Sequence, residues 1–166
     1  TENLQYALMD ISLNSNRFNF NDLSSFVPDI DMLKGAVGVQ LQASGNLLQL
    51  DVNKIVLDYE KTHLETKATI KNINDIDEMT VSTEFKNSII NQADINKLLP
   101  EYGIPVFEKL GLVKIDSLTF DGKPLNFKSK ILLSTNDGKV SSDVRMNFEK
   151  AVTEYDINFT STNFSL

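Results

Sequence analysis

Period-two alternation, turn residues between the alternating runs, and a pattern that occurs twice predict an all-β chain. The expected architecture is all-β, a set of repeated antiparallel strands forming one elongated sheet with two short crossover helices. The alternation is clearest from His63 to Lys71, where His63, Glu65, Lys67, Thr69 and Lys71 are polar and Leu64, Thr66, Ala68 and Ile70 fall between them. Only an extended strand, whose side chains point alternately to opposite faces, separates those two sets.

The same alternation sets Met79, Val81, Thr83 and Phe85 against Thr80, Ser82, Glu84 and Lys86. It sets Val140, Ser142, Val144, Met146 and Phe148 against Ser141, Asp143, Arg145 and Asn147, and Tyr155, Ile157 and Phe159 against Asp156 and Asn158. Each segment has one apolar and one polar face, the pattern of an antiparallel sheet. The strands this predicts are about 4–14, 36–44, 47–59, 63–72, 78–87, 111–120, 125–135, 139–149 and 153–164. Ser44-Gly45-Asn46, Asp121-Gly122 and Asn136-Asp137-Gly138 supply turn residues that tolerate positive φ, with Glu60-Lys61-Thr62 and Asn74-Asp75 as weaker turns. Between Leu48 and Tyr59 the alternation changes phase, from Leu48, Leu50 and Val52 to Ile55, Leu57 and Tyr59, which a bulge near Asn53 or Lys54 would produce.

Two segments break the strand pattern. Residues 22–29 open on Asp22 and stop at Pro28, and residues 94–101 open on Asp94 and stop at Pro100. In each, apolar residues share one helical face and the leading Asp can hold the free N–H groups of a first turn. The segments match at an offset of 94 − 22 = 72, and downstream an offset of 111 − 35 = 76 places Gly35 on Gly111, Leu64 on Val140 and Ile70 on Met146. The 166 residues therefore read as a single β-rich segment of a longer chain, with a repeat of about 22–87 and 94–164. The first strand reads as the end of a preceding copy.

Composition narrows the function. The net charge of −7 disfavours nucleic acid, which requires a basic face. There is no cysteine, so disulfides and thiolate metal sites are excluded. No run approaches the roughly 18 apolar residues of a membrane span, so any anchor or export signal is expected outside these residues. His63 is the single histidine and sits on the polar side of its strand, without the companions a triad or metal site needs. Asp29-Ile30-Asp31 and Asp75-Ile76-Asp77-Glu78 lack the glycine-turned loop that calcium requires and read as turns. Asn158-Phe159-Thr160 and Asn163-Phe164-Ser165 match the glycosylation sequon, a pattern common by chance, and both fall in an expected strand. No nucleophile or phosphate-loop motif is present, so a non-enzymatic role without cofactor is expected.

The apolar faces are the candidate functional feature. In the first copy they comprise Leu48, Leu50, Leu64, Ala68, Ile70, Met79, Val81 and Phe85. In the second they comprise Phe127, Val140, Val144, Met146, Phe148, Tyr155 and Ile157. Burial against protein and burial against lipid leave the same sequence signal, since both remove apolar area from water. Alternation alone favours a closed core; the repeat, together with the family resemblance carried by the junction residues below, shifts the balance toward an open, lipid-lined groove.

The stretch Ser15-Asn16-Arg17-Phe18-Asn19-Phe20-Asn21-Asp22-Leu23 resembles the strand-to-helix junction that recurs in AsmA-like and TamB-like proteins. Asn91-Gln92-Ala93-Asp94-Ile95-Asn96-Lys97-Leu98-Leu99 is similar to the same junction, and the strand-rich remainder, with Leu118-Thr119-Phe120-Asp121-Gly122, fits it. The resemblance implies an elongated, curved, groove-like sheet, polar outside and apolar inside, in the envelope of diderm bacteria. It further implies a periplasmic location, phospholipid or another acyl ligand as the partner, other envelope proteins as possible contacts, and a role in lipid conduction or outer-membrane assembly. The membrane helix and C-terminal domain usual in these families are absent from the 166 residues. The alternative is a closed β-sandwich or solenoid serving as a structural or adhesion module.

Overall fold

The structure, a computed structural model, describes residues 4–23, 34–100 and 111–163. These fold into nine antiparallel strands in one open sheet whose spatial order is the sequence order. The strands are β1 (Met9–Asn19), β2 (Ala36–Gly45), β3 (Gln49–Tyr59), β4 (Thr62–Lys71), β5 (Thr80–Asn91), β6 (Leu112–Lys123), β7 (Asn126–Thr135), β8 (Gly138–Asn147) and β9 (Glu154–Thr162). One helix, α1 (Gln92–Leu98), lies between β5 and β6. Each strand packs chiefly on its sequence neighbours, and the pairing does not close into a barrel.

Eight strands stand close to their expected places; the first does not. Leu4–Tyr6 forms a 3-10 turn, and β1 runs on to Asn19. The polar run Asn14-Ser15-Asn16-Arg17 suggested an end at Asn14. A register shift between Ser15 and Phe18 absorbs it instead and pairs Phe18 with Val37. The phase change in β3 is a bulge: Val52 and Ile55 are three residues apart while their β4 partners, Ala68 and Thr66, are two apart. Asp121-Gly122, expected as a turn, belongs to β6, and the hairpin closes at Pro124 and Leu125. Gly122 has φ of 137°, and a Cβ there would stand 2.4 Å from the Asn126 carbonyl oxygen, so only glycine lets β6 approach β7 this closely.

Helix α1 starts two residues before the expected cap. Asn91 is the N-cap, its side chain accepting from the Asp94 N–H at 3.2 Å. Asp94 is 2% exposed. It turns away from the helix and accepts from the Lys61 N–H at 2.9 Å and the Thr62 hydroxyl at 3.1 Å, fastening α1 to the β3–β4 hairpin. Lys97 pairs with Glu60 at 2.7 Å, and the Lys34 N–H donates to the Leu98 carbonyl, so α1 holds the sheet end where β2 begins. Of the other expected helix, Asp22 lies in a 3-10 turn, Phe20–Leu23, and residues 24–29 lie outside the described residues, as do 29–31 and 106–110.

Irregular pairing is repaired by side chains. In β5 a bulge opens between the partners of His63 and Glu65. Ser88, fully buried, fills it: its Oγ accepts the Glu65 N–H at 2.8 Å and lies 2.9 Å from the Lys86 carbonyl oxygen, to which it can donate. In β6 the register shift falls at Asp116, whose carboxylate accepts from the Ser134 hydroxyl and pairs with Lys114 at 3.3 Å. The Ser134 hydrogen bond, with Lys114 beside it, holds the Asp116 carboxyl below the usual carboxylate range.

Candidate functional site: the apolar face

Directly paired residues in antiparallel strands share a face, so the register can be followed from edge to edge. One row runs Met9, Gly45, Leu50, Ile70, Val81, Gly122, Phe127, Met146, Tyr155. The next runs Ile11, Ala43, Val52, Ala68, Thr83, Phe120, Ser129, Val144, Ile157. A third runs Leu13, Leu41, Ile55, Thr66, Phe85, Leu118, Ile131, Ser142, Phe159. All three cross nine strands without a charged residue.

The opposite face alternates with these rows. There, Asp10, Ser44, Asp51, Thr69, Ser82, Asp121, Lys128, Arg145 and Asp156 form a row that is polar throughout. Cross-strand ion pairs join Lys67 to Glu84 at 3.4 Å and Lys130 to Asp143 at 3.7 Å. The hydrogen bond from Lys86, which also pairs with Glu84, lowers the Glu84 carboxyl pKa. His63 belongs to this face, with its Nδ1 2.6 Å from an Asp58 carboxylate oxygen across the β3–β4 pair. Asp75 orders its own turn, accepting from the Asp77 and Glu78 N–H groups. An open depression of about 660 Å³ is lined by such residues, Asp51, Lys67, Glu84 and Asp121 among them.

Most expected lining residues fall in the apolar rows. Leu50, Ala68, Ile70, Val81, Phe85, Phe127, Val144, Met146, Tyr155 and Ile157 occupy the three rows. Leu64, opposite Leu57, and Val140, opposite Leu133, continue the same face toward the α1 end. Leu48, Met79 and Phe148 lie just beyond strand ends. Sequence reasoning did not include Met9, Ile11, Leu13, Leu41, Phe120 or Phe159. Met9, Ile11 and Leu13 precede the two copies from which the expected set is drawn, while Leu41, Phe120 and Phe159 lie inside them and carry the same alternation, joined to the rows by the register. Phe120 stacks on Phe127 at 4.7 Å between centroids, a diagonal pair within the face.

The two threonine hydroxyls in these rows are neutralised by backbone. Thr66 and Thr83 lie 2.7 Å apart, oxygen to oxygen. Thr66 reaches the Glu84 carbonyl at 2.9 Å and Thr83 the Lys67 carbonyl at 3.0 Å. With these two hydroxyls satisfied within the sheet, β4 and β5 present an apolar face there.

No second layer of described residues covers it. Val37, Val39, Ala43, Val52 and Ile115 are buried, but exposure rises toward the last strand, where Tyr155 is 71%, Ile157 52% and Phe159 65% exposed. The arrangement is not an enclosed pocket. Among the described residues it is a broad apolar surface on a single-layer sheet, suited to an extended apolar partner rather than to a small polar ligand.

The fold and this face define the class: an open all-β sheet, amphipathic across its thickness. Comparison with protein-family models, with curated proteins and with solved structures returned no match.

Proposed function

We propose that the chain is a non-enzymatic, lipid-contacting segment of an AsmA-like or TamB-like envelope protein, its apolar face taking the acyl chains of phospholipid. The observation that carries this reading is the set of three uncharged rows across nine strands, uncovered by any described layer. An acyl chain lying across them meets mainly apolar side chains, and removing that area from water supplies the affinity at roughly 25 cal/mol per Å². The passage from strand to helical turn at both junctions that carry the resemblance, β1 into Phe20–Leu23 and β5 into α1, also supports it. Periplasmic placement and a part in lipid conduction or outer-membrane assembly belong to the same proposal.

The test is photocrosslinking in the intact protein from Ile70 and from Val144, one position on each half of the face. Phospholipid adducts from both are expected. Adducts to protein alone from both positions would overturn the reading.

A further inference from the structure

The three rows carry a second regularity, concerned with the edge of the sheet rather than its face. β1 pairs with β2 so that Met9, Ile11 and Leu13 stand opposite Gly45, Ala43 and Leu41. β5 pairs with β6 so that Val81, Thr83 and Phe85 stand opposite Gly122, Phe120 and Leu118. The two receiving strands thus bind partners of one pattern, Leu-x-apolar-x-Gly: Leu41-Gln42-Ala43-Ser44-Gly45 and Leu118-Thr119-Phe120-Asp121-Gly122. Both glycines have strongly positive φ, 140° and 137°. β9 is third in this series, because the rows put Tyr155, Ile157 and Phe159 where Val81, Thr83 and Phe85 stand four strands earlier. Its far edge pairs with no described strand.

We propose that the outer edge of β9 is a strand-acceptor site, taking an extended segment of Leu-x-apolar-x-Gly pattern, antiparallel, with its glycine opposite Tyr155. The two edges of the sheet are built differently. β1 carries a register shift between Ser15 and Phe18 and an arginine, Arg17, devices that discourage edge pairing. β9 has no register shift, arginine, lysine or proline, and its two charges, Glu154 and Asp156, lie in its first three residues; it pairs with β8 in unbroken register from Glu154 to Thr162. Its unpaired N–H and C=O groups call for another strand, and its alternation fixes which face that strand's apolar residues take. A second folded copy does not fit, because its two strands of this pattern, β2 and β6, are paired on both sides. The occupant is a segment not already held in a sheet.

The absence of cysteine makes a register test simple. The probe is a synthetic peptide of residues 112–123 carrying either Phe120→Cys or Thr119→Cys, incubated with the chain bearing one cysteine on β9 in a glutathione redox buffer, whose oxidised form takes the two electrons released as the disulfide forms. By the β5–β6 register, Ile157→Cys should form a disulfide with the Phe120→Cys peptide about tenfold faster than with the Thr119→Cys peptide, because only the directly opposite position brings the Cβ atoms close enough. Asn158→Cys, on the polar face, should show the reverse preference. Ile11→Cys on β1 should show neither. Equal rates with both peptides, equal capture at β1, or preferential coupling of Ile157→Cys to a second copy of the chain would each overturn the proposal. The reaction contains no lipid, so its failure leaves the acyl-chain reading standing.

Discussion

Replacing Ile157 by lysine separates an open apolar face from a covered one. Ile157 is 52% exposed, so folding removes about half of its side chain from water. Burying a whole isoleucine contributes about 1.5–3 kcal/mol, and the half lost here is worth about 1 kcal/mol, part of which the lysine stem restores by lying along the surface. Urea denaturation followed by circular dichroism should therefore show Ile157→Lys destabilised by about 1 kcal/mol or less. Val39→Lys, at a residue 8% exposed on the same face, places an unpaired charge among buried neighbours and should cost about 4 kcal/mol. For an acyl ligand the order of severity changes. Covering the exposed half of Ile157 contributes about 1 kcal/mol to binding, and a lysine there adds a desolvation cost of similar size, so the affinity for a fluorescent fatty acid should fall by roughly 30-fold. A loss of stability above about 3 kcal/mol for Ile157→Lys would mean that something in the chain already covers the face. Unchanged fatty-acid affinity would refute the acyl-chain argument.

Three further outcomes follow from the repairs and turns of the sheet. Ser88→Ala leaves the Glu65 N–H without its acceptor inside the bulge and should cost about 1–3 kcal/mol in urea denaturation, while Ser82→Ala, on the exposed polar row, should change stability by less than about 0.5 kcal/mol. Gly122→Ala forces a Cβ against the Asn126 carbonyl at positive φ and should cost about 2–4 kcal/mol, whereas substitution at Asp121 beside it should be nearly neutral. Asp116 has a folded-state pKa below its ordinary value of 3.8, so the stability that its ionisation contributes is complete above that value and is lost as pH falls through the depressed one. Acid titration of wild type against Asp116→Asn should show the two stability curves converging in that window, and parallel curves would remove Asp116 from the account.

The sequence was legible where local alternation decides and silent where a distant partner does. β4 could be read almost to the residue, expected at 63–72 and found at Thr62–Lys71, because each polar residue from His63 to Lys71 marks one face. The bulge beyond Val52 was legible because a phase slip must appear in any alternating strand that has one. The true extent of β1 was hidden, since Asn14-Ser15-Asn16 reads locally as a turn and only pairing with β2 carries the strand to Asn19. Likewise Asp94 has the form of a helix cap, yet its carboxylate is claimed by the Thr62 hydroxyl and the Lys61 N–H of a hairpin more than thirty residues earlier in the chain. The candidate face was half-visible. Alternation identified which residues of β4 and β8 share a side, but the edge-to-edge rows exist only through the register, which adds β1, β2 and β6 to the surface.

The last strand shows why face and edge call for different partners. Every residue of β9 is exposed, although it carries the same alternation as β5, whose residues are mostly half-buried between β4 and β6. Sequence does not explain that difference; position does, since β5 has a strand on each side. An added strand would satisfy the in-plane N–H and C=O groups of β9 and shield the flanks of Tyr155, Ile157 and Phe159, yet it would extend the apolar face by one strand rather than cover it. An acyl layer would cover that face and leave the backbone edge untouched, because hydrocarbon offers no hydrogen bond. The two requirements are perpendicular in space and unlike in chemistry. Binding of the β6-type peptide and of lipid should therefore be compatible, and peptide occupancy should widen the lipid-binding surface rather than compete for it.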